Sequence, residues 1–302
     1  MKNNPRKLGA TEPSEQSIVL CRSQASEDTR VQVIKDTLDE SRTLLFMSVD
    51  IVNSTAFKES ADQVGSGHIW LGLFEEFFRK FPLVLMGKVA LCLDEKARVP
   101  EISLWRIAGD EMVFIAKPES DQQTLFLFQA LHQTFTYYHE KLKKEHGLGL
   151  KACCWSADFP QRNISVRVPE IASRGDGIEE AYVEYLGPDV DLGFRIAKHV
   201  HGGEAIVSMK LAESLAKASD LRGISFRFAG SAVLKGVNLG TPYPLITANF
   251  TNAADDHSAD SGRQYSVTSG SIGLSPQEVV EMAQQSEQHG GVSLVSASSP
   301  DG

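Results

Sequence analysis

Two short β-like runs, residues 102–108 (ISLWRIA) and 111–117 (EMVFIAK), are separated only by Gly109-Asp110. A Gly-Asp pair between apolar runs is the signature of a two-residue hairpin turn, which leaves its strands little choice but to pair with each other. The rest of the central sequence has to be organised around that hairpin. Upstream, residues 43–50 (TLLFMSVD) form a nearly continuous apolar run that ends in a carboxylate, as expected for a buried strand carrying Asp50 to its tip. Between the two lies a helical pattern over 68–86, expected to break at Pro82. Downstream come a helix over 122–145, a strand over 148–158, and a segment at 182–187 that leads into a helix over 188–201. A strand at 202–208, a helix at 210–218 and closing strands around 225–230 and 243–250 complete the pattern. The order β-α-β-β-α-β is the ferredoxin-like split motif, so the fold class is α+β with extra C-terminal elements.

This places one domain at 42–250. Residues 1–41 are polar and mixed in charge, with a weak helical pattern at Val31, Val33, Ile34 and Leu38, and read as an N-terminal arm. Residues 251–302 are rich in Ser, Gly, Asp, Ala and Gln and read as a flexible tail, too poor in apolar surface to offset the entropy of ordering. Within it 276–285 (PQEVVEMAQQ) has residual helical character.

Charge narrows the function. The formal net charge of −9 argues against a general grip on nucleic acid or an anionic membrane, both of which need a basic face. The four cysteines include no Cys-x-x-Cys spacing, so neither a zinc site nor a disulfide framework is indicated. The first residues lack the apolar core of a signal peptide, and no run approaches the ~20 apolar residues of a membrane helix. A soluble, cytoplasmic protein is the expectation.

In a β-α-β-β arrangement the first strand lies beside the hairpin, so Asp50 and Asp110 can face one site. Two carboxylates suit hard divalent ions, and a pair of such ions can stabilise the attacking and leaving oxygens of a phosphoryl transfer. Asn53, Ser54 and Thr55 lead from Asp50 into a helix whose first N–H groups can cradle phosphates. Taken singly, an Asp at a strand end is ordinarily a cap, and a hairpin Gly-Asp ordinarily just a turn. His199 and His201 have no third ligand in view and read as exposed groups near a helix end. Trp70, Phe74, Phe77, Phe78 and Phe81 have helical spacing and read as core or dimer contacts. Glu111 reads as a hairpin flank, with third metal ligand as the alternative.

Four segments in order carry a family resemblance. Phe46-x-x-x-Asp50-Ile51-x-x-Ser54-Thr55 and Arg106-Ile107-Ala108-Gly109-Asp110 resemble the two metal motifs of class III adenylate and guanylate cyclases. Gly187-x-x-Val190-Asp191-x-x-x-Arg195 is similar to the family's Gly-x-x-Val-Asn-x-x-x-Arg helix, and Leu234-Lys235-Gly236 to its late Leu-Lys-Gly. The resemblance implies a cyclase core in which Asp50, Asp110 and the Ile51 carbonyl hold two Mn²⁺ or Mg²⁺ ions, with Asn53 to Thr55 against the triphosphate. It implies that Arg195 stabilises the transition state, with Asp191 at the ribose-orienting position, and that Lys235 contacts the terminal phosphates. It also implies a homodimer with composite sites, each taking its carboxylates from one chain and its arginine from the other.

The departures from the family concern the base. Asp191 stands where many cyclases carry Asn, and an ionised Asp accepts hydrogen bonds without donating them. Arg106 occupies a base-selecting position usually held by Lys or Glu, and the second such position aligns near Glu184 or Tyr185. Arg106 within Trp-Arg-x-x-Gly-Asp-Glu resembles the bacterial pyrimidine cyclases of antiphage signalling, which implies UTP as substrate and cyclic UMP as a messenger read by a separate effector. Three other readings stay open: a purine cyclase; a diguanylate cyclase, whose Gly-Gly-Asp-Glu-Phe hairpin the segment Ala108 to Met112 resembles; and an inactive nucleotide-binding or dimerisation module.

Overall fold

The computed structural model describes residues 41–63, 67–92, 99–168, 182–218, 223–237, 240–250 and 272–290. The chain divides into two compact units, the larger comprising Ser41–Ile164 and Tyr185–Gly302, the smaller Met1–Glu40 and Ser165–Glu184. The expected N-terminal arm lies outside the described residues. Two strands lie partly in the smaller unit, β5 (Ile164–Val168) from Ser165 on and β6 (Tyr182–Leu186) as far as Glu184, and pair as a two-stranded sheet.

The larger unit is built on β1 (Arg42–Val52), β2 (Ile102–Ala108), β3 (Glu111–Ala116), β4 (Gly149–Phe159), β7 (Ala205–Val207), β8 (Ile224–Ala232), β9 (Tyr243–Phe250) and β10 (Ile272–Leu274). They form one sheet in the order β10-β8-β9-β7-β4-β1-β3-β2. Its β4-β1-β3-β2 part is antiparallel throughout, as the split motif requires. The helices are α1 (Ser54–Gln63), α2 (Gly67–Cys92), α3 (Asp121–His146), α4 (Pro188–Ile196), α5 (Met209–Ala218) and α6 (Pro276–Gly290). Among the described residues no helix is long and apolar enough to cross a membrane.

Strand alternation divides β1 between two environments. Leu45, Met47 and Val49 point to the face covered by α2 and α3, where Phe81 stacks on Phe114 at 6.0 Å and Phe77 meets Tyr138 edge-on at 5.7 Å. Phe74, Phe77 and Phe81 are core residues, as their spacing predicts. Phe46, Ser48 and Asp50 point to the other face, which α4 covers in part through Trp155 and Gly193.

Three expectations need correction. Pro82 does not break its helix; α2 runs from Gly67 to Cys92 straight through it. An interior proline costs about 3 kcal/mol, and burial of Phe77, Phe81, Leu85 and Val89 on both sides of it outweighs that. The helix expected over 188–201 ends at Ile196 and passes into a single 3₁₀ turn, Ala197–His199. Residues 272–290 are not part of a structureless tail: β10 extends the sheet along β8, and α6 buries Val279 and Ala283. A reciprocal cap starts α6, with Ser275 N–H donating to Glu278 Oε2 at 2.7 Å and Glu278 N–H to Ser275 Oγ at 3.3 Å.

Candidate active site

Asp50 lies two residues before the end of β1, directly opposite Glu111 on β3 and Lys151 on β4. Directly opposed residues project to the same face. The three side chains therefore meet, and Lys151 Nζ lies 2.9 Å from Asp50 Oδ2. Asp110 comes to the same place from the hairpin tip, where Gly109 takes φ +69° at the first turn position. The Ser54 hydroxyl, buried at the start of α1, donates to Asp110 Oδ2. Ser48 donates to Glu111 Oε1. Asn53 has a left-handed backbone (φ +65°), which turns the chain from β1 into α1, and its carbonyl accepts the first helical bond from Phe57 N–H at 3.0 Å. Asparagine tolerates that conformation better than most residues.

The electrostatics are those of acids crowded on a half-buried face. Burial raises the Asp50 carboxyl above its ordinary range, the adjacent Asp110 adds to the effect, and Lys151 opposes it. Burial also raises Glu111, against the hydrogen bond from Ser48. Such a group gains from a cation beside it. The side-chain oxygens of Asp50, Asp110 and Ser54 are the kind of donors that a hard divalent ion takes. Among the described residues no three His, Cys, Asp or Glu side chains form a metal cluster. Two carboxylates are nonetheless what a magnesium site completed by substrate phosphates and water requires.

The other candidates divide into two groups. Arg106 and Tyr185 gather around Trp105. The β2–β3 register slips between Leu104 and Arg106, and in such a bulge two residues oppose one on the partner strand. The Arg106 guanidinium lies 3.8 Å from the Trp105 ring centroid, and Tyr185 meets that ring edge-on at 5.4 Å. Thr55 is exposed beside buried Ser54. Glu184, in the smaller unit, accepts from Tyr182 Oη at 3.1 Å.

Lys235 stands apart from the carboxylates, and no ion pair ties Asp191 or Arg195 to them among the described residues. The pairings Asp50–Lys151, Ala152–Ala205, Ile206–Thr247 and Ile224–Phe250 put the starts of β7 and β8 at the Asp50 end of the sheet. Lys235 follows the opposite end of β8, where Ala232 pairs with Tyr243. Asp191 is exposed and Arg195 half-buried on α4. Among the described residues no ion pair joins Arg195 to Asp191, Asp50 or Asp110. His199 and His201 are exposed.

Sequence reasoning gave Lys151 no role and read Trp105 only as part of Trp-Arg-x-x-Gly-Asp-Glu. Lys151 had a signal, as a lone cation inside the apolar strand GLKACCWSA; the stack of Arg106 on Trp105 had none, because a bulge is a property of the pairing.

No protein-family model and no curated protein matches the chain. Among solved structures the fold is similar to that of the adenylyl cyclase CyaB from P. aeruginosa, with TM-score 0.52 and 12% identity over 71% of this chain and 97% of that one. A weaker likeness, TM-score 0.46 and 10% identity over 69% of this chain and 97% of the other, is to the guanylate cyclase domain of RhGC from Catenaria anguillulae, solved in complex with GTP. The expected α+β cyclase core is therefore the fold observed.

Proposed function

We propose that this chain is a nucleotide cyclase of the class III type, which closes a nucleoside triphosphate, preferentially UTP, into its 3′,5′-cyclic monophosphate with release of pyrophosphate. The observation that carries the reading is the meeting of Asp50 and Asp110, with Lys151 and Ser54 beside them, on a fold similar to that of an adenylyl cyclase.

In this reaction the ribose 3′-oxygen forms a bond to the α-phosphorus, the bond from that phosphorus to the pyrophosphate oxygen breaks, and the hydroxyl proton is lost. Asp50, Asp110 and the Ile51 carbonyl would hold divalent ions, which when bound lower the pKa of the hydroxyl and offset charge on the phosphates. Lys151 is paired with Asp50 and stands within reach of whatever phosphate oxygens approach that carboxylate. The backbone N–H groups at the start of α1, around Ser54 and Thr55, face the anion in the favourable sense of the helix dipole. Lys235 lies at the other end of the sheet, so the terminal-phosphate role implied for it requires a second chain. The same reading assigns Arg195 and Asp191 to sites completed in an antiparallel homodimer.

Base choice rests on Arg106. Its guanidinium offers a rigid fork of donors, which suits the two carbonyls of uracil better than the amino group of adenine. The stack on Trp105 and the neighbouring Tyr185 favour a small base. Cyclic UMP would then act as a signal for a separate effector, such as one in antiviral defence.

The test is incubation of the pure protein with equimolar ATP, GTP, CTP and UTP and Mn²⁺ or Mg²⁺, with mass spectrometry of the products. Dominant cyclic UMP is expected. A purine cyclic mononucleotide would overturn the base assignment alone, a cyclic dinucleotide the reaction, and no product the enzyme.

A further inference from the structure

The start of α4 is held by a buried polar clip that the proposed chemistry does not use. Asn163, only 1% exposed, accepts on Oδ1 the N–H groups of Asp189 (3.1 Å) and Val190 (3.4 Å), capping the helix from a loop 26 residues away. Its Nδ2 donates to Asp189 Oδ2 at 2.8 Å and to the Asp158 carbonyl at 2.9 Å. Arg162 Nε donates to Asp189 Oδ1 at 2.8 Å, and the Asp158 N–H reaches Asp189 Oδ2 at 3.4 Å. The contact is so close that a Cβ at Gly187 would overlap Asn163 and the Arg162 carbonyl. One turn past Asp189, a Cβ at Gly193 would overlap the indole of Trp155, and the Cys153 thiol donates to the Gly193 carbonyl at 3.5 Å.

We propose that Asp189, clipped to Asn163, is a positioning residue for Arg195: it fixes the rotation and height of α4, and so where the guanidinium is presented to the partner chain. The inference rests on the reading that Arg195 acts in a composite site. Two grips one turn apart leave a nine-residue helix neither free to slide nor free to roll. A burial this expensive for a carboxylate persists only where its partners are all in place. Among the described residues no ion pair fixes Arg195 to the carboxylate pair, so its position there follows that of the helix.

Removing the clip should cost on the order of 10²-fold in kcat, the scale of a misplacement of about 1 Å, with KM for the triphosphate changed little. The decisive readout is complementation between inactive chains. Asp189→Ala should behave as an arginine-side defect, regaining activity when its subunits are exchanged with Asp50→Ala chains and not with Arg195→Ala chains. Should Asp189→Ala fail to fold, Asn163→Ala and Asp189→Asn serve, each leaving part of the clip; the exchanged pair Asn163→Asp with Asp189→Asn should recover part of kcat. The control is the mixture of Asp50→Ala and Arg195→Ala. If the control stays inactive after verified exchange, the composite site is wrong and the inference falls with it. If the control recovers while the clip variants are rescued by both partners or by neither, the positioning role alone is overturned.

Discussion

The two faces of the central strands obey different rules although they are made of the same residues in alternation. Toward α2 and α3, Leu45, Met47 and Val49 join Phe77, Phe81 and Phe114 in a dry core where shape is the only requirement. Toward the other side, Phe46, Ser48 and Asp50 begin with aromatic packing and end in charge: Phe46 stacks on Trp155 at 5.2 Å, while Asp50 meets Lys151, Glu111 and Asp110. One face spends its residues on stability, the other gives some up to gather charge. Mutations on the two should separate folding from turnover.

The largest effect is expected on the charged face. Asp50→Ala or Asp110→Ala should lower kcat/KM on the order of 10³-fold while leaving the thermal transition near that of the wild type, as measured by activity assay beside calorimetry. Near-normal turnover in either variant would remove the basis for calling this face the site. On the core face the converse holds. Phe77→Ala should cost about 3–5 kcal/mol of stability yet leave the activity of the remaining folded enzyme intact, provided turnover is normalised to folded protein. A loss of specific activity to match would mean that the two faces are not separable.

Arg106→Ala sharpens the contrast within the charged face. It should reduce the preference for UTP by about ten- to a hundredfold, the worth of one polar recognition contact, without abolishing cyclisation of the other triphosphates. Equal losses with all four would show that Arg106 supports the fold through Trp105 rather than reading a base.

The smallest effect is a pH slope. Asp50 has a folded-state pKa raised above 3.8, and Glu111 one raised above 4.5. Between those ordinary values and the raised ones these two groups bind more protons in the folded chain than in the unfolded one, so their contribution to metal-free stability should fall as pH rises through that window, against the opposite contributions of Asp158, His132 and His139, whose pKa values are lowered. Melting temperatures in a chelator from pH 4 to 7 should therefore rise more, or fall less, with pH in Asp50→Asn than in the wild type. An unchanged slope would trace the pH dependence to other groups.

What the sequence made legible was whatever depends on local pattern. Asp50 and Asp110 could be found because a continuous apolar run and a Gly-Asp turn each leave one place for a carboxylate, and the β-α-β-β order puts those places side by side. The β4-β1-β3-β2 order followed from the same elements. What stayed hidden depends on pairing or on distant partners. The bulge at Trp105 is a slip between two strands, the Lys151–Asp50 pair comes from cross-strand register, and the Asn163–Asp189 clip joins residues 26 apart. The passage of α2 through Pro82 and the packing of α6 are tertiary outcomes, in which buried Phe81 and Val279 override local signals for a break and for a tail.

The close seating of Gly193 on Trp155 makes the molecule its own optical reporter. The chain has three tryptophans, and Trp155 is fully buried, its indole N–H meeting no acceptor among the described residues. Its emission should therefore be that of an indole shielded from water, and its quenching by solutes weak. Because Gly193 brings the backbone of α4 directly against the indole and Phe194 of the same helix packs beside it at 5.3 Å, lifting of that helix would uncover the ring to solvent. With Trp70 and Trp105 replaced by phenylalanine, the colour of the remaining fluorescence would follow the helix in real time, in dilute solution and with no attached label.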